Sequence, residues 1–140
     1  MAFNEEQLRK IYDRTSGYCH LCGKKLSFKN YGKYGTHAPW EVEHSIPRSK
    51  GGSNHMNNLY PSCISCNKQK GNAANKSVRS KYGITKAPLS IPARKKAKIQ
   101  NAAWAGVTGG VIGYLLGPIG SIAGVVIGAS IGYEKNPDIE

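Results

Sequence analysis

At 140 residues the chain has room for one small domain and an appendage, which excludes two large cores. Its formal net charge of +12 is unevenly spread: residues 1–101 carry nineteen of the twenty Lys and Arg and five of the eight acids. A basic block of that density suits a polyanion, nucleic acid first and anionic lipid second. Met1–Leu8 contains acids and lacks an apolar run, so no signal peptide is visible. Without an export signal, four cysteines in two C-x-x-C pairs read as metal ligands, not disulfides.

Asn4-Glu5-Glu6-Gln7 has the form of a helix cap with acids in the first turn and Gln at the capping-box position. Leu8, Ile11 and Tyr12 follow at helical spacing, which predicts a helix to about Ser16, stopped by Gly17. Residues 27–38 are polar and rich in Gly and Tyr and read as a loop. Trp40–Ile46 alternates and predicts a strand ended by Pro47. A loop follows at Ser49–Asn54, then a short strand or turn near Leu59-Tyr60, then a short helix from Ile64 to about Gly71. Residues 76–101 read as a basic linker with some helical content. Residues 102–133 carry no charge in thirty-two positions and hold nine glycines, and 134–140 form an acidic tail.

Zinc takes four ligands in a tetrahedron, and a C-x-x-C turn presents two thiolates to one ion. Cys19 and Cys22 are separated from Cys63 and Cys66 by forty residues, so the pairs predict two knuckles joined by the fold, not a compact finger. Gly23 suits a tight turn in the first knuckle. Four thiolates fill the coordination shell, which makes the expected zinc structural.

Between the knuckles stand Trp40-Glu41-Val42-Glu43-His44-Ser45-Ile46-Pro47, Gly51-Gly52 and Asn58-Leu59, followed by Cys63-Ile64-Ser65-Cys66-Asn67-Lys68-Gln69-Lys70-Gly71. In that order and spacing, Tyr18–Gly71 resembles the zinc-containing HNH endonucleases of the ββα-metal type. The resemblance implies a small α+β domain, residues 1–75, that cleaves phosphodiester bonds, usually in DNA, with Mg²⁺ or Mn²⁺. By position His44 matches the general base and Glu43 the metal-binding acid beside it. Asn58 matches the residue that holds the loop and orients the histidine, and Asn67 the second protein ligand of the metal. The family more often has Asp before the histidine, and Glu41 is a conceivable substitute ligand. Neighbouring strand residues normally face opposite ways, so Glu43 and His44 converge only if the strand is twisted or bulged. Arg48, Lys50, Lys68 and Lys70 are expected phosphate contacts, which position a duplex without reading sequence. His20, His37 and His55 have no comparable setting and are expected at the surface.

In the apolar stretch, Gly109, Gly113 and Gly117 form one four-spaced row, and Gly120, Gly124, Gly128 and Gly132 another. Such rows let helices approach closely in lipid. They predict a glycine-zipper-like membrane helix or hairpin, divided by Pro118, with homo-oligomer contacts along the rows. Arg94–Lys98 before it fits the positive-inside rule, leaving the nuclease in the cytoplasm on the inner membrane. Defence against incoming DNA, as from phage, or a delivered toxin would suit that architecture. The rival expectation is a non-catalytic zinc module that binds DNA and uses the tail to anchor or oligomerise.

Overall fold

The structure is a computed structural model that describes residues 3–114 and Ser130, with side chains described as far as residue 105. The chain divides into two compact units, Met1–Ile91 and Pro92–Glu140. The first holds α1 (Glu5–Asp13), β1 (Trp40–His44), β2 (Leu59–Cys63), α2 (Ile64–Lys70) and α3 (Asn75–Ser80). It is a small α+β arrangement built on one two-stranded sheet.

The predicted capping box begins α1. Asn4 Oδ1 accepts from the Gln7 backbone N–H at 2.8 Å, and Gln7 Oε1 accepts from that of Asn4 at 3.1 Å. The helix ends at Asp13, earlier than the spacing suggested, and a tight turn carries the chain into the first knuckle. There Gly23 adopts φ +72°, a left-handed conformation that favours glycine, and its N–H donates to Cys19 O.

Strands β1 and β2 pair antiparallel, with Trp40 opposite Cys63 and His44 opposite Leu59. Because α2 starts directly after Cys63, strand, strand and helix form one ββα unit. Trp40 is fully buried, and the rings of Tyr12, Phe28 and Tyr31 surround it at 5.0–6.1 Å between centroids. That aromatic cluster pins the 27–38 loop and α1 to the start of β1. Arg14 pins the other end: its guanidinium lies over the Tyr60 ring and donates to the carbonyls of Met56 and Leu59.

The folded unit runs further than the sequence suggested. Val78 of α3 is 2% exposed and joins Ile11, Leu21, Leu26, Trp40 and Leu59 in the core. Ser16 Oγ donates to Leu89 O. Residues 76–91, expected as linker, are therefore part of the packed unit, because α3 supplies an apolar side chain that the core needs.

In the second unit, α4 (Ile91–Tyr114) joins the basic cluster Arg94–Lys98 and the first part of the apolar stretch in one helix. Among the described residues, no helix is long and apolar enough to cross a membrane. Apart from Ser130, the remainder of the expected membrane segment, with Gly117 and the whole second glycine row, lies outside the described residues.

Candidate metal centre and ββα site

Each knuckle delivers its sulfurs to one point. The ligand atoms of Cys19, Cys22, Cys63 and Cys66 all lie within 4.8 Å of one another, and all four cysteines are free. Cys22 Sγ and Cys63 Sγ are 3.7 Å apart, far beyond a disulfide bond. A tetrahedron with zinc–sulfur bonds of about 2.3 Å has edges of about 3.8 Å, so the spacing suits zinc. Crowding also separates the thiols in acidity. Hydrogen bonding, from Cys22 foremost, pulls Cys19 down to about 6, and contacts with Cys19 and Cys22 lower Cys63. The same crowding raises Cys22 and Cys66. Four thiolates there need a cation, and with four ligands present the centre is closed to substrate.

Hydroxyls surround the centre: Ser62 Oγ lies 3.7 Å from Cys19 Sγ and Ser65 Oγ 3.5 Å from Cys63 Sγ. Tyr82 OH lies 3.5 Å from Cys66 Sγ and donates to Gln69 Oε1. Tyr82 comes from beyond α3, in the stretch read from sequence as linker.

At the other end of β1, the His44 ring is held by Asn54, whose Oδ1 lies 2.8 Å from Nε2. Asn58 is buried and secures the intervening loop. Its Oδ1 accepts from the Ile46 N–H at 2.7 Å, and its Nδ2 donates to Ile46 O and Ser53 O. Asn58 thus touches the chain on either side of the loop but not the imidazole, which Asn54 meets instead. Gly52 is necessary here, since a Cβ at that position would stand 1.8 Å from Ile46 O. Two side-chain bonds tie this region to residues just beyond α2: Ser49 to Asn72, and Asn75 to Ser45.

Glu41 and Glu43, two apart on β1, both meet α2 but differ in their partners. Glu43 is 3% exposed; Oε1 is 2.5 Å from Lys70 Nζ and Oε2 is 2.7 Å from His20 Nε2. His20 Nε2 and Glu43 Oε2 are in close contact without the alignment of a hydrogen bond. Burial pushes the Glu43 carboxyl up, and the His20 and Lys70 contacts together outweigh it, so its net shift is downward. Burial also pushes the His20 imidazole down, more than Glu43 pulls it up. His20 is then neutral at pH 7, which leaves Lys70 as the counter-ion of Glu43. Glu41 is half-buried; Oε1 accepts from Tyr34 OH and Oε2 from Asn67 Nδ2, each at 3.2 Å.

These contacts correct the expected exposure of Lys70 and His20 and show what surrounds Glu43. Glu43, expected as a metal ligand converging with His44, has both oxygens engaged beneath α2. Lys70, expected as a phosphate contact, is also 3% exposed and donates to His44 O at 3.0 Å. His20, expected at the surface, is fully buried, stacked on Tyr60, with Arg79 donating to its carbonyl and contacting Nδ1. Arg48, Lys50 and Lys68 are exposed, Lys68 lying over the Tyr34 ring. The reading from sequence did not single out Asn54, Arg79 or Tyr82. Only His20 carried a signal, its place inside the first C-x-x-C.

Removing one member of a buried ion pair strands the other charge and costs about 3–5 kcal/mol. Lys70→Met is therefore expected to lower the Tm of the zinc-loaded protein by more than about 10 °C, read by thermal melting. An unchanged Tm would mean that Glu43 finds solvent or another partner.

The fold and centre define a small ββα domain framed by a four-cysteine metal site. Residues 19–73, which include β1, β2, α2 and all four cysteines, match the model of the HNH endonuclease family. No curated protein matches the chain.

Proposed function

We propose that this domain is a metal-dependent endonuclease that hydrolyses phosphodiester bonds in DNA with low sequence specificity. The observation that supports this most is the setting of His44 within a segment matching the nuclease family. An amide oxygen only accepts, so the Asn54 contact keeps the proton on Nε2 and leaves the Nδ1 lone pair to take a proton from water. A neutral imidazole suits that task near pH 7. Lys70 holds the His44 carbonyl and Asn58 holds both backbone groups of Ile46, so the base sits on a fixed strand end.

A divalent cation such as Mg²⁺ or Mn²⁺, when bound, stabilises charge on the phosphate and the leaving oxygen. Asn67 and a carboxylate of β1 are the residues to hold it, since such ions take few protein ligands and keep several waters. Arg48, Lys50 and Lys68 supply phosphate contacts. Incubating zinc-loaded full-length protein with supercoiled plasmid and Mg²⁺ or Mn²⁺ is expected to give nicked or linear product. Retarded but intact plasmid with either ion would favour the second reading, a non-catalytic zinc-stabilised DNA-binding module. The sequestered carboxylate of Glu43 is the observation favouring that alternative.

We also propose that residues 102–133 attach the protein to the cytoplasmic membrane and associate along the glycine rows. The support is the uncharged, glycine-spaced sequence. A role in defence against incoming DNA, or as a toxin, would suit that architecture. Full-length protein is expected to sediment with membranes, resist high salt and release with detergent, while a chain ending near Gln100 stays in the supernatant. Release by salt alone would mean that only Arg94–Lys98 meets anionic lipid.

A further inference from the structure

We propose that the exposed ring of Tyr34 is a stacking platform for an unpaired nucleobase, so that the preferred substrate is DNA with a locally opened strand. The inference rests on the nuclease reading above and names the form of DNA that its site takes.

A single exposed apolar side chain needs no explanation, but the setting of this one is specific. Tyr34 is 61% exposed, the most exposed of the large apolar and aromatic side chains described in the first unit. Its OH donates to Glu41 Oε1 at 3.2 Å, and Glu41 Oε2 accepts from Asn67 Nδ2, so the ring stands beside the candidate site. Lys68 Nζ lies 4.8 Å from the ring centroid, and Lys33 is the exposed chain neighbour. The loop that carries the ring is rooted in the core. Tyr31 bridges to Trp40 and packs on its indole, and the Gly32 N–H donates to Trp40 O at 2.9 Å. Asn30 Nδ2 donates to His37 O, and Thr36 Oγ1 closes the turn on Lys33 O at 2.8 Å. A flat ring is thus held in place from both its loop and its hydroxyl, between two cations.

Attraction to a polyanion accounts for the lysines but not for the ring. In an intact duplex every base is stacked within the helix and offers a protein only its edges, so an aromatic face finds nothing to lie on. Once a base is unpaired its face is free, and stacking on an aromatic side chain binds it whatever its identity. That tolerance agrees with low sequence specificity. Fixing the ring before binding lowers the ordering cost of the contact. Lys68 is no obstacle, since an exposed cation–π contact is weak and the ammonium can turn to the phosphate that accompanies the base. The setting favours DNA over a protein partner, because Lys33 and Lys68 flank the ring and it lies within the segment that matches the nuclease family.

The test compares two labelled DNA duplexes of equal length, one fully paired and one with a short mismatched bubble. Equal length gives both the same phosphate count, so the electrostatic part of binding cancels. Affinities are read by fluorescence anisotropy on zinc-loaded, full-length protein without added Mg²⁺ or Mn²⁺, and cleavage is then followed with either ion. Wild type is expected to bind the bubble about tenfold more tightly than the paired duplex, the scale of one base–aromatic stack. Tyr34→Ala and Tyr34→Leu are expected to lose that preference while keeping the wild-type Tm and paired-duplex affinity, and Tyr34→Phe to keep it. Equal binding of both duplexes by wild type would overturn the proposal, as would a preference that survives Tyr34→Ala or Tyr34→Leu. An equal loss on both duplexes after Tyr34→Ala would also overturn it, since the ring would then serve general affinity. Cleavage by wild type without any bubble preference would sink the platform and keep the nuclease. A preference that depends on Tyr34 in a protein that never cuts would uphold the platform and remove the nuclease reading.

Discussion

His44→Ala is expected to reduce plasmid cleavage by at least about a hundredfold, the lower bound for removing a positioned general base. Zinc content, Tm and DNA retardation should stay close to wild type. The reason is local. The imidazole makes one side-chain contact, to Asn54, and is not among the buried core residues. What anchors this end of β1 is the His44 carbonyl on Lys70, which alanine retains. A variant that cuts normally would remove His44 from the chemistry. One that loses zinc or melts early would show that the ring supports the fold. Asn54→Ala is the informative companion, since it leaves the imidazole in place but frees its tautomer and orientation.

Cys63→Ser is expected to abolish zinc binding and cooperative unfolding together. Binding of a structural zinc contributes on the order of 10 kcal/mol, about as much as the whole stability of a small domain. Position matters as well. Cys63 ends β2, caps α2 and faces Trp40 across the sheet, so the metal bond at this residue holds strand and helix at their junction. The knuckle of Cys19 and Cys22 then keeps only weaker ties to β2: the His20 N–H on Pro61 O, the His20 ring on Tyr60 and the Cys19 contact with Ser62 Oγ. Metal analysis and circular-dichroism melting provide the measurement. A folded, zinc-loaded variant would show that the four thiolates do not act as one centre.

Much of this domain is legible along the chain because its signals are local. A capping box spans four residues, a C-x-x-C knuckle four, and an alternating strand five. Each is set by backbone periodicity or ligand geometry that neighbours in sequence satisfy by themselves. β1, α2 and the shared four-cysteine centre are expected on those grounds, β2 only as a short strand or turn, and the order of motifs is enough to suggest the family.

Partners of buried charges were not legible. Alternation places Glu41 and Glu43 on one side of β1 but does not say what covers each. Their different environments come from side chains 26 or more positions away in α2, from His20 in the first knuckle and from Tyr34 in the preceding loop. For the same reason Lys70, one of many lysines in a basic chain, could not be separated from the exposed ones. Arg79 and Val78 lie in a stretch whose composition resembles a linker, yet one meets the His20 carbonyl and the other closes the core. Sequence by itself determined the metal frame, the ββα order and the candidate base, because short-range geometry specifies them. The tertiary structure alone decided that Glu43 is buried against Lys70 while Glu41 stays half-buried beside Tyr34 and Asn67. Burial depth and counter-charge are properties of the packed chain, and no local pattern encodes them.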